Sequence, residues 1–307
     1  MIAGHSTSYF FNFITIQTLT MNRFVSPLRY PGGKLKVVEY IKRLFEVNNL
    51  CSGHYIEPYA GGASVALSLL FSDYAHSIHI NDIDRSIYAF WYSVLYQTDS
   101  LCRLIADTPI DMNHWRHQFE IQKNKETADL LDLGFSTLFL NRTNRSGILR
   151  GGVIGGKEQK GQYKMNARFN KVDIIARIEK VATFANRITL TNQDAVKLIE
   201  GFTLSEVKTL LYLDPPYYVK GRDLYLNYYN DKDHRDIARV ISHYTGHWLI
   251  SYDAVSFLKE LYGNYRQVEY NLNYSAGNSS KGKEIMIYSK ELILPDAEIV
   301  KLKKANK

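Results

Sequence analysis

Residues 209–217 read Thr-Leu-Leu-Tyr-Leu-Asp-Pro-Pro-Tyr, and this stretch decides the fold that we predict. Thr209–Leu213 is an apolar run with the length of a buried strand, and a carboxylate, two prolines and an aromatic ring follow it at once. Open α/β sheets bind their ligands just beyond the carboxyl ends of the strands. The stretch therefore predicts an α/β fold with a ligand site at residues 214–217.

The four residues after this strand have the chemistry to hold a flat group that carries an exocyclic amine. Pro215 and Pro216 lack N–H donors and fix φ, so the turn is stiff and its carbonyl groups are available as acceptors. Asp214 and the Pro215 carbonyl group can accept the two N–H bonds of the amine, while the Tyr217 ring stacks on its face. The alternative is a plain strand-ending turn in which the prolines only stop the ladder.

Charge is concentrated in one part of the chain. The formal net charge of the 307 residues is +7, and residues 142–171 contain eight Lys or Arg, one acid and six glycines. A basic, glycine-rich segment of this kind favours contact with phosphates, although a solvated surface loop has the same composition.

Composition also indicates what the chain lacks. Cys51 and Cys102 are its only cysteines, which excludes a disulfide framework or a CxxC zinc site and predicts a reducing, cytoplasmic location. We expect no metal, and no apolar run is long enough for a membrane span. Residues 1–20 are expected to be a non-core extension, with Met21 as a candidate start, and residues 296–307 a basic tail.

Two further strands predict a nucleotide-binding crossover. After a helix at 35–46, a strand at 54–59 runs into Ala60-Gly61-Gly62, and a second strand at 77–80 ends before Asp82. An acid about twenty residues beyond a glycine turn is placed to accept from the two hydroxyl groups of an adenosine ribose. An acid after a strand also commonly caps a helix.

The remaining pattern completes an α/β order. Residues 86–140 are predicted to be helical, as are 168–186 and 195–200, and strands are expected at 187–191, 248–251, 267–270 and 284–288.

Five motifs follow one another in a familiar order: RYPGGK at 29–34, EPYAGGA at 57–63, NDID at 81–84, NRTNRSG at 141–147 and LDPPY at 213–217. With them the chain resembles the Dam-like, alpha-ordered DPPY group of adenine-N6 DNA methyltransferases. The resemblance implies a Rossmann-like fold with a mostly parallel seven-stranded sheet. It also implies a catalytic domain at 21–85 and 171–295, with a helical target-recognition insert at 86–170.

The same resemblance implies S-adenosyl-L-methionine as cofactor and double-stranded DNA as substrate. A monomer is the default expectation, with the oligomeric state open, and the enzyme could belong to a restriction-modification system with a separate endonuclease, to a phage, or stand alone. Catalysis would fall to Asp214, Pro215, Pro216 and Tyr217. The implied cofactor residues are Tyr30, Gly33, Lys34, Glu57, Pro58, Tyr59, Gly61, Asp82, Asp194 and Asp214. Tyr59 stands where the family usually has Phe, and Ala63 where it has Gly.

A target base in duplex DNA must be flipped out before it can react, and the gap it leaves must be filled. We predict DNA contacts from Arg142, Asn144, Arg145 and Arg150, since Arg reads guanine and Asn reads adenine. These side chains would otherwise contact only phosphates or cap a helix. A flipped base could be clamped by Tyr225, Tyr228 and Tyr229, and Lys281 and Lys283 could touch the DNA backbone. Core packing and a plain hairpin loop explain these residues equally well.

Two other functions share these motifs. Methylation of RNA or of another planar amine keeps the pocket and changes the polymer. A DNA-binding protein that retains the fold without turnover is compatible with the departure at Ala63.

Overall fold

The computed structural model describes residues 25–29, 35–202, 208–218, 229–273 and 281–295. Several predicted positions lie outside these ranges: Tyr30, Gly33 and Lys34, the clamp candidates Tyr225 and Tyr228, the N-terminal extension and the basic tail.

The described helices and strands alternate along most of the chain. The helices are α1 (Leu35–Val47), α2 (Ser64–Phe71), α3 (Arg85–Tyr96), α4 (Thr98–Asp107), α5 (Met112–Lys123), α6 (Leu130–Thr143), α7 (Lys171–Ala182), α8 (Ala195–Glu200), α9 (Asp231–His243) and α10 (Ser256–Leu261). The strands are β1 (Gly53–Glu57), β2 (Ala75–Asn81), β3 (Ile188–Thr191), β4 (Thr209–Leu213), β5 (His247–Asp253), β6 (Arg266–Asn273) and β7 (Lys281–Tyr288).

The strands form one seven-stranded sheet in the order β3-β2-β1-β4-β5-β7-β6. All the pairs from β3 to β5 are parallel, whereas β7 pairs antiparallel with both β5 and β6. The predicted fold, a mostly parallel seven-stranded α/β sheet, is therefore confirmed. The direction of winding reverses between β1 and β4, and such a switch point opens a crevice for a ligand at the carboxyl ends of the two strands.

Side-chain alternation along the central strands builds a core on each face of the sheet. In β4, Leu210 and Tyr212 pack in the core formed with α1 to α7, whereas Leu211 and Leu213 pack in the core formed with α8 to α10. Successive strand residues point to opposite faces, so the apolar run at 209–213 supplies both cores at once.

The long helical region differs from the sequence prediction in two ways. Residues 86–140 form separate helices, because Asp111 and Asp129 cap new N-termini with their carboxylates. The helix predicted at 168–186 is shorter, since short 3-10 turns at Met165–Arg168 and Ala185–Arg187 flank α7. Helices α3 to α6 share one hydrophobic core with the sheet, so the segment predicted as an insert packs directly with the sheet. Among the described residues no helix is long and apolar enough to cross a membrane.

Candidate active site

The loops that carry the predicted site lie at the carboxyl ends of the parallel strands, in the middle of the sheet. Strands β1 and β4 are parallel neighbours, with Ile56 beside Leu211, so Glu57 and Asp214 both follow at their carboxyl ends. The EPYAGGA turn leaves β1 there and the DPPY turn leaves β4 there. The topology therefore brings together two motifs that are far apart in the sequence.

The glycine turn after β1 is fastened to the end of β2. Gly61, whose φ is +46°, donates its N–H to Asp82 Oδ2 at 2.9 Å, and its carbonyl oxygen accepts from Trp91 Nε1 at 2.9 Å. Asn81 adds a second link, because its Nδ2 donates to the carbonyl groups of Pro58 at 2.9 Å and Gln193 at 3.0 Å. The turn is consequently preorganised by bonds to β2 and α3.

Ala63 takes an unusual backbone conformation at the end of this turn. It is the N-cap of α2 with φ +46° and ψ +30°, a left-handed region that costs an L-residue about 1–2 kcal/mol. Its methyl group is 1% exposed and lies in the core. The family's usual glycine suits this conformation, which gives the departure at Ala63 a physical meaning.

Asp82 is a half-buried carboxylate whose two oxygens accept from backbone N–H groups. Its Oδ1 accepts from the N–H of Asp84 at 2.9 Å, and Oδ2 accepts from Gly61 as described. Burial raises the pKa of the Asp82 carboxyl group to about 7, while the two backbone hydrogen bonds oppose that increase. Asp84, not Asp82, caps helix α3 through Ser86. The helix-cap alternative for Asp82 is therefore wrong.

Glu57, the last residue of β1, brings a buried carboxylate to the same carboxyl ends of the strands. It is 1% exposed, and its Oε2 accepts from the Ala66 N–H of helix α2 at 3.4 Å. Burial and, after it, the Glu57 charge raise the pKa of Tyr55 well above its ordinary value. Glu57 thus places a carboxylate where a ligand with cationic centres would find a partner.

The DPPY turn is held by strand β5. Asp214 Oδ1 accepts from Ser251 Oγ at 2.7 Å, and the Tyr218 N–H donates to Asp253 Oδ1 at 2.8 Å. Pro215 is buried, while Pro216 and Tyr217 are half-buried. The carboxylate is therefore fixed on one side of the turn and the backbone on the other.

Tyr229 lies near Asp194, Asp82 and Tyr59, which are predicted cofactor residues. Asp194 caps α8 by accepting from Val196 at 3.0 Å and Lys197 at 3.2 Å. Burial, followed by the charges of Asp194, Asp233 and Asp82, raises the pKa of Tyr229 to about 12. The Tyr229 hydroxyl also lies 3.0 Å from that of Tyr59. The sequence suggested either a base clamp or core packing for Tyr229, and the structure packs its ring and hydroxyl group against Tyr59.

These residues fit the parts of S-adenosyl-L-methionine. The Asp82 carboxylate suits a ribose diol, and the anionic pair Glu57 and Asp214 suits a ligand with ammonium and sulfonium centres. Ile83 follows Asp82 directly and is 46% exposed, which offers an apolar surface for an adenine ring. Sequence reasoning missed Ile83, although an apolar residue between two acids in NDID was a visible signal. Within the described ranges no group of His, Cys, Asp and Glu is arranged to hold a metal ion.

The NRTNRSG segment at the end of α6 has a structural role that the sequence did not reveal. Arg142 is 9% exposed; its Nε donates to the Pro27 carbonyl group at 2.8 Å, and its Nη2 bonds the same oxygen. Asn144 is fully buried, accepts from Trp115 Nε1 at 2.8 Å and donates to Ile148 and Leu149. Their polar groups are bonded within the protein, so this geometry does not support the predicted DNA contacts of Arg142 and Asn144.

Arg145 and Arg150 remain candidates for DNA contact because both are exposed. They lie on the turn that follows α6, which an Asn144–Val153 bridge closes. Gly147 is required at this turn: its φ is +77°, and a Cβ there would lie 2.6 Å from the Arg29 carbonyl oxygen. The turn thus presents two arginines on a rigid base.

Comparison with curated proteins found no match. Solved structures with a similar chain course include a candidate RNA methyltransferase from Pyrococcus horikoshii (8% identity, 85% of this chain and 86% of that chain, TM-score 0.41). They also include TrmN from Thermus thermophilus (9%, 80% and 47%, 0.37) and M. capricolum TrmK in complex with S-adenosyl-homocysteine (8%, 83% and 70%, 0.35). The family described as D12 class N6 adenine-specific DNA methyltransferase matches residues 30–275. This chain therefore belongs to the D12 class of N6 adenine-specific DNA methyltransferases, a family of S-adenosyl-L-methionine-dependent enzymes.

Proposed function

We propose that this enzyme methylates the N6 amine of an adenine that is flipped out of double-stranded DNA. The observation that carries the proposal is that β1 and β4 are parallel neighbours at the switch point, so the turn bonded to Asp82 and the turn that begins with Asp214 leave the sheet at the same ends of adjacent strands. A methyl donor held by the turn and an amine held by Asp214 would meet across this crevice.

The chain's own residues would act by positioning and electrostatics. When bound, S-adenosyl-L-methionine supplies an electrophilic methyl group on a sulfonium centre. Asp214 and the Pro215 carbonyl group would accept the two amine N–H bonds, which favours a pyramidal nitrogen with its lone pair toward the donor. The Tyr217 ring would stack on the base. Asp214 is not assigned as a base that deprotonates the neutral amine, because the proton becomes acidic only after transfer.

Methyl transfer from labelled S-adenosyl-L-methionine to unmethylated plasmid tests the proposal, with the product nucleosides identified by mass. We expect N6-methyladenine from the wild type and none from Asp214→Ala. Asp107→Ala, which removes an exposed carboxylate at the end of α4, is the matched control and should be fully active. Label confined to RNA would favour the RNA alternative. DNA and cofactor binding without any product would favour the non-catalytic one.

For DNA recognition we propose that Arg145 and Arg150 contact the duplex. Both are exposed on the turn after α6, in the most basic part of the chain. Replacing either by Ala should weaken binding. If the arginine contacts a base, its loss should reduce the discrimination between matched and mismatched duplexes by about 1–3 kcal/mol. If it contacts a phosphate, its loss should reduce the slope of log binding constant against log salt concentration by about 1. Unchanged affinity and salt slope in both variants would refute this placement.

The wider setting is also a proposal. A monomer in the cytoplasm, paired with a separately acting restriction endonuclease, follows from the family resemblance and the cysteine content. Sedimentation of the protein with and without a short duplex tests the monomer. Protection of methylated plasmid against endonucleases of the same host tests the restriction-modification role.

A further inference from the structure

Strand β5 places two polar side chains along the DPPY turn. The register pairs Leu213 with Ile250, so the next residues, Asp214 and Ser251, lie side by side on one face of the sheet. Asp253 is two residues farther along β5 and therefore shares that face. Ser251 is 1% exposed and Asp253 is 7% exposed. Strand β5 thus contacts the turn through two buried side chains.

The hydrogen bonds in this arrangement have a defined direction. Ser251 Oγ donates its proton to Asp214 Oδ1 at 2.7 Å, because an ionised carboxylate only accepts. Ser251 Oγ also lies 2.9 Å from the Tyr212 hydroxyl group. Since the serine proton is already committed to Asp214, Tyr212 is the donor in that second bond. The chain of donors runs from Tyr212 through Ser251 to Asp214.

Tyr212 is suited to remain a donor. It is 1% exposed and shares the face of Asp214, two residues before it in β4. Burial raises the pKa of Tyr212 far above the working range. The phenol therefore keeps its proton at every pH at which the enzyme would work, and the orientation of the chain does not change with pH.

We propose that Ser251, supported by Tyr212, is a positioning residue that fixes the Asp214 carboxylate in the plane needed to accept the N–H bonds of the target amine. This inference rests on the proposed function, and it assigns to β5 a role that the DPPY motif does not contain. Without the serine proton, the carboxylate would rotate about Cβ–Cγ and lose a donor that favours its ionised form. Asp253 would contribute separately by holding the backbone at Tyr218.

Three variants separate this role from a general loss of structure. Ser251→Ala removes the donor, Ser251→Thr retains the hydroxyl group, and Tyr212→Phe removes only the second bond. Ser242→Ala is the control, because Ser242 Oγ donates to the Arg239 carbonyl group on the exposed face of α9. Single-turnover methyl transfer to DNA is measured over a range of pH, together with the dissociation constants for cofactor and duplex and the unfolding midpoint.

We expect Ser251→Ala to slow transfer on the order of ten- to a hundredfold with both dissociation constants nearly unchanged, as loss of a hydrogen bond to a charged group implies. The acid limb of its pH–rate profile should move to higher pH, because the Asp214 carboxylate binds a proton more tightly without the serine donor. Ser251→Thr should recover most of the rate, and Tyr212→Phe should lose about three- to tenfold.

The failures are distinguishable. If the wild type forms no N6-methyladenine, the proposed function fails. If the wild type is active and Ser251→Ala matches it in rate and pH profile, the positioning role is overturned while the function stands. A pH-independent rate loss shared by Ser251→Ala and Ser251→Thr also overturns it. Tyr212→Phe, which keeps the volume of the ring, decides the case if the serine variants fold poorly.

Discussion

Cofactor affinity should increase with pH through neutrality, and Asp82 should be the cause. Burial raises the pKa of this carboxyl group to about 7, whereas the ribose hydroxyl groups need the ionised form as their acceptor. With a pKa of about 7, roughly a tenth of the groups are ionised at pH 6 and roughly nine tenths at pH 8. The association constant should therefore increase about tenfold over this range.

Calorimetric titration with S-adenosyl-homocysteine at constant ionic strength, from pH 5.5 to 8.5, measures this directly. At pH 6, binding should release close to one proton per cofactor, which repeats in buffers of different ionisation enthalpy will reveal. His79 on β2 should not interfere, because burial lowers its pKa to about 4. Asp84→Asn removes a neighbouring negative charge that raises the Asp82 pKa, so it should move the midpoint to lower pH.

Stability without cofactor should show the opposite trend. Because the folded pKa of Asp82 lies above its unfolded value of 3.8, the folded protein binds this proton more tightly. The stabilisation is complete below pH 4 and is lost as the pH rises through about 7. An affinity that is flat or that falls between pH 6 and 8, or a pH dependence that survives in Asp82→Asn, would refute the assignment of Asp82 as the ribose acceptor.

The other predictions concern the turn and the arginines. Ala63→Gly should change the free energy of unfolding by less than about 1 kcal/mol, since relief of the left-handed strain offsets the loss of the buried methyl group. Ala63→Val should lower that free energy by about 3 kcal/mol, and urea unfolding measures both variants. Tyr59→Phe should lower the free energy of unfolding by about 1 kcal/mol, because it removes the hydrogen bond to Tyr229. A double-mutant cycle with Tyr229→Phe should show that the two effects are not additive. Arg142→Lys should destabilise the fold by about 2 kcal/mol, because Lys cannot reproduce the two bonds to Pro27, while exposed Arg145→Lys should leave the melting temperature unchanged. Equal losses at the two arginines would contradict the buried role of Arg142.

The bounds of an element could be predicted from the sequence where its own residues determine where it begins and ends. Strand β4 and helix α8 have the predicted bounds, because an apolar run defines the first and the Asp194 cap starts the second. The turn at Gly61 and the acid at Asp82 were also predicted together, since a crossover of fixed length connects them. The direct bond between them confirms that these two positions meet.

Residues whose partners lie far along the chain could not be assigned in this way. Arg142 bonds Pro27, which is 115 residues away, so its burial was invisible beside the exposed Arg145. Ser251 was seen only as part of a strand, because its partnership with Asp214 depends on the β4–β5 register. The sequence suggested a base clamp or core packing for Tyr229, because it could not show that Tyr59, 170 residues away, lies against it.

A sequence motif therefore combines residues that face a ligand with residues that hold them in place. In NRTNRSG, Asn141 accepts from the Arg29 N–H at 2.7 Å and donates to the Arg29 carbonyl oxygen at 2.7 Å. Asn141 also donates to the Gly147 carbonyl group at 2.9 Å. This amide thereby joins the turn that presents Arg145 to the segment that leads into RYPGGK. Both partners of the Asn141 amide are backbone groups, so this contact fixes the position of the arginine turn relative to Arg29, the residue that begins RYPGGK.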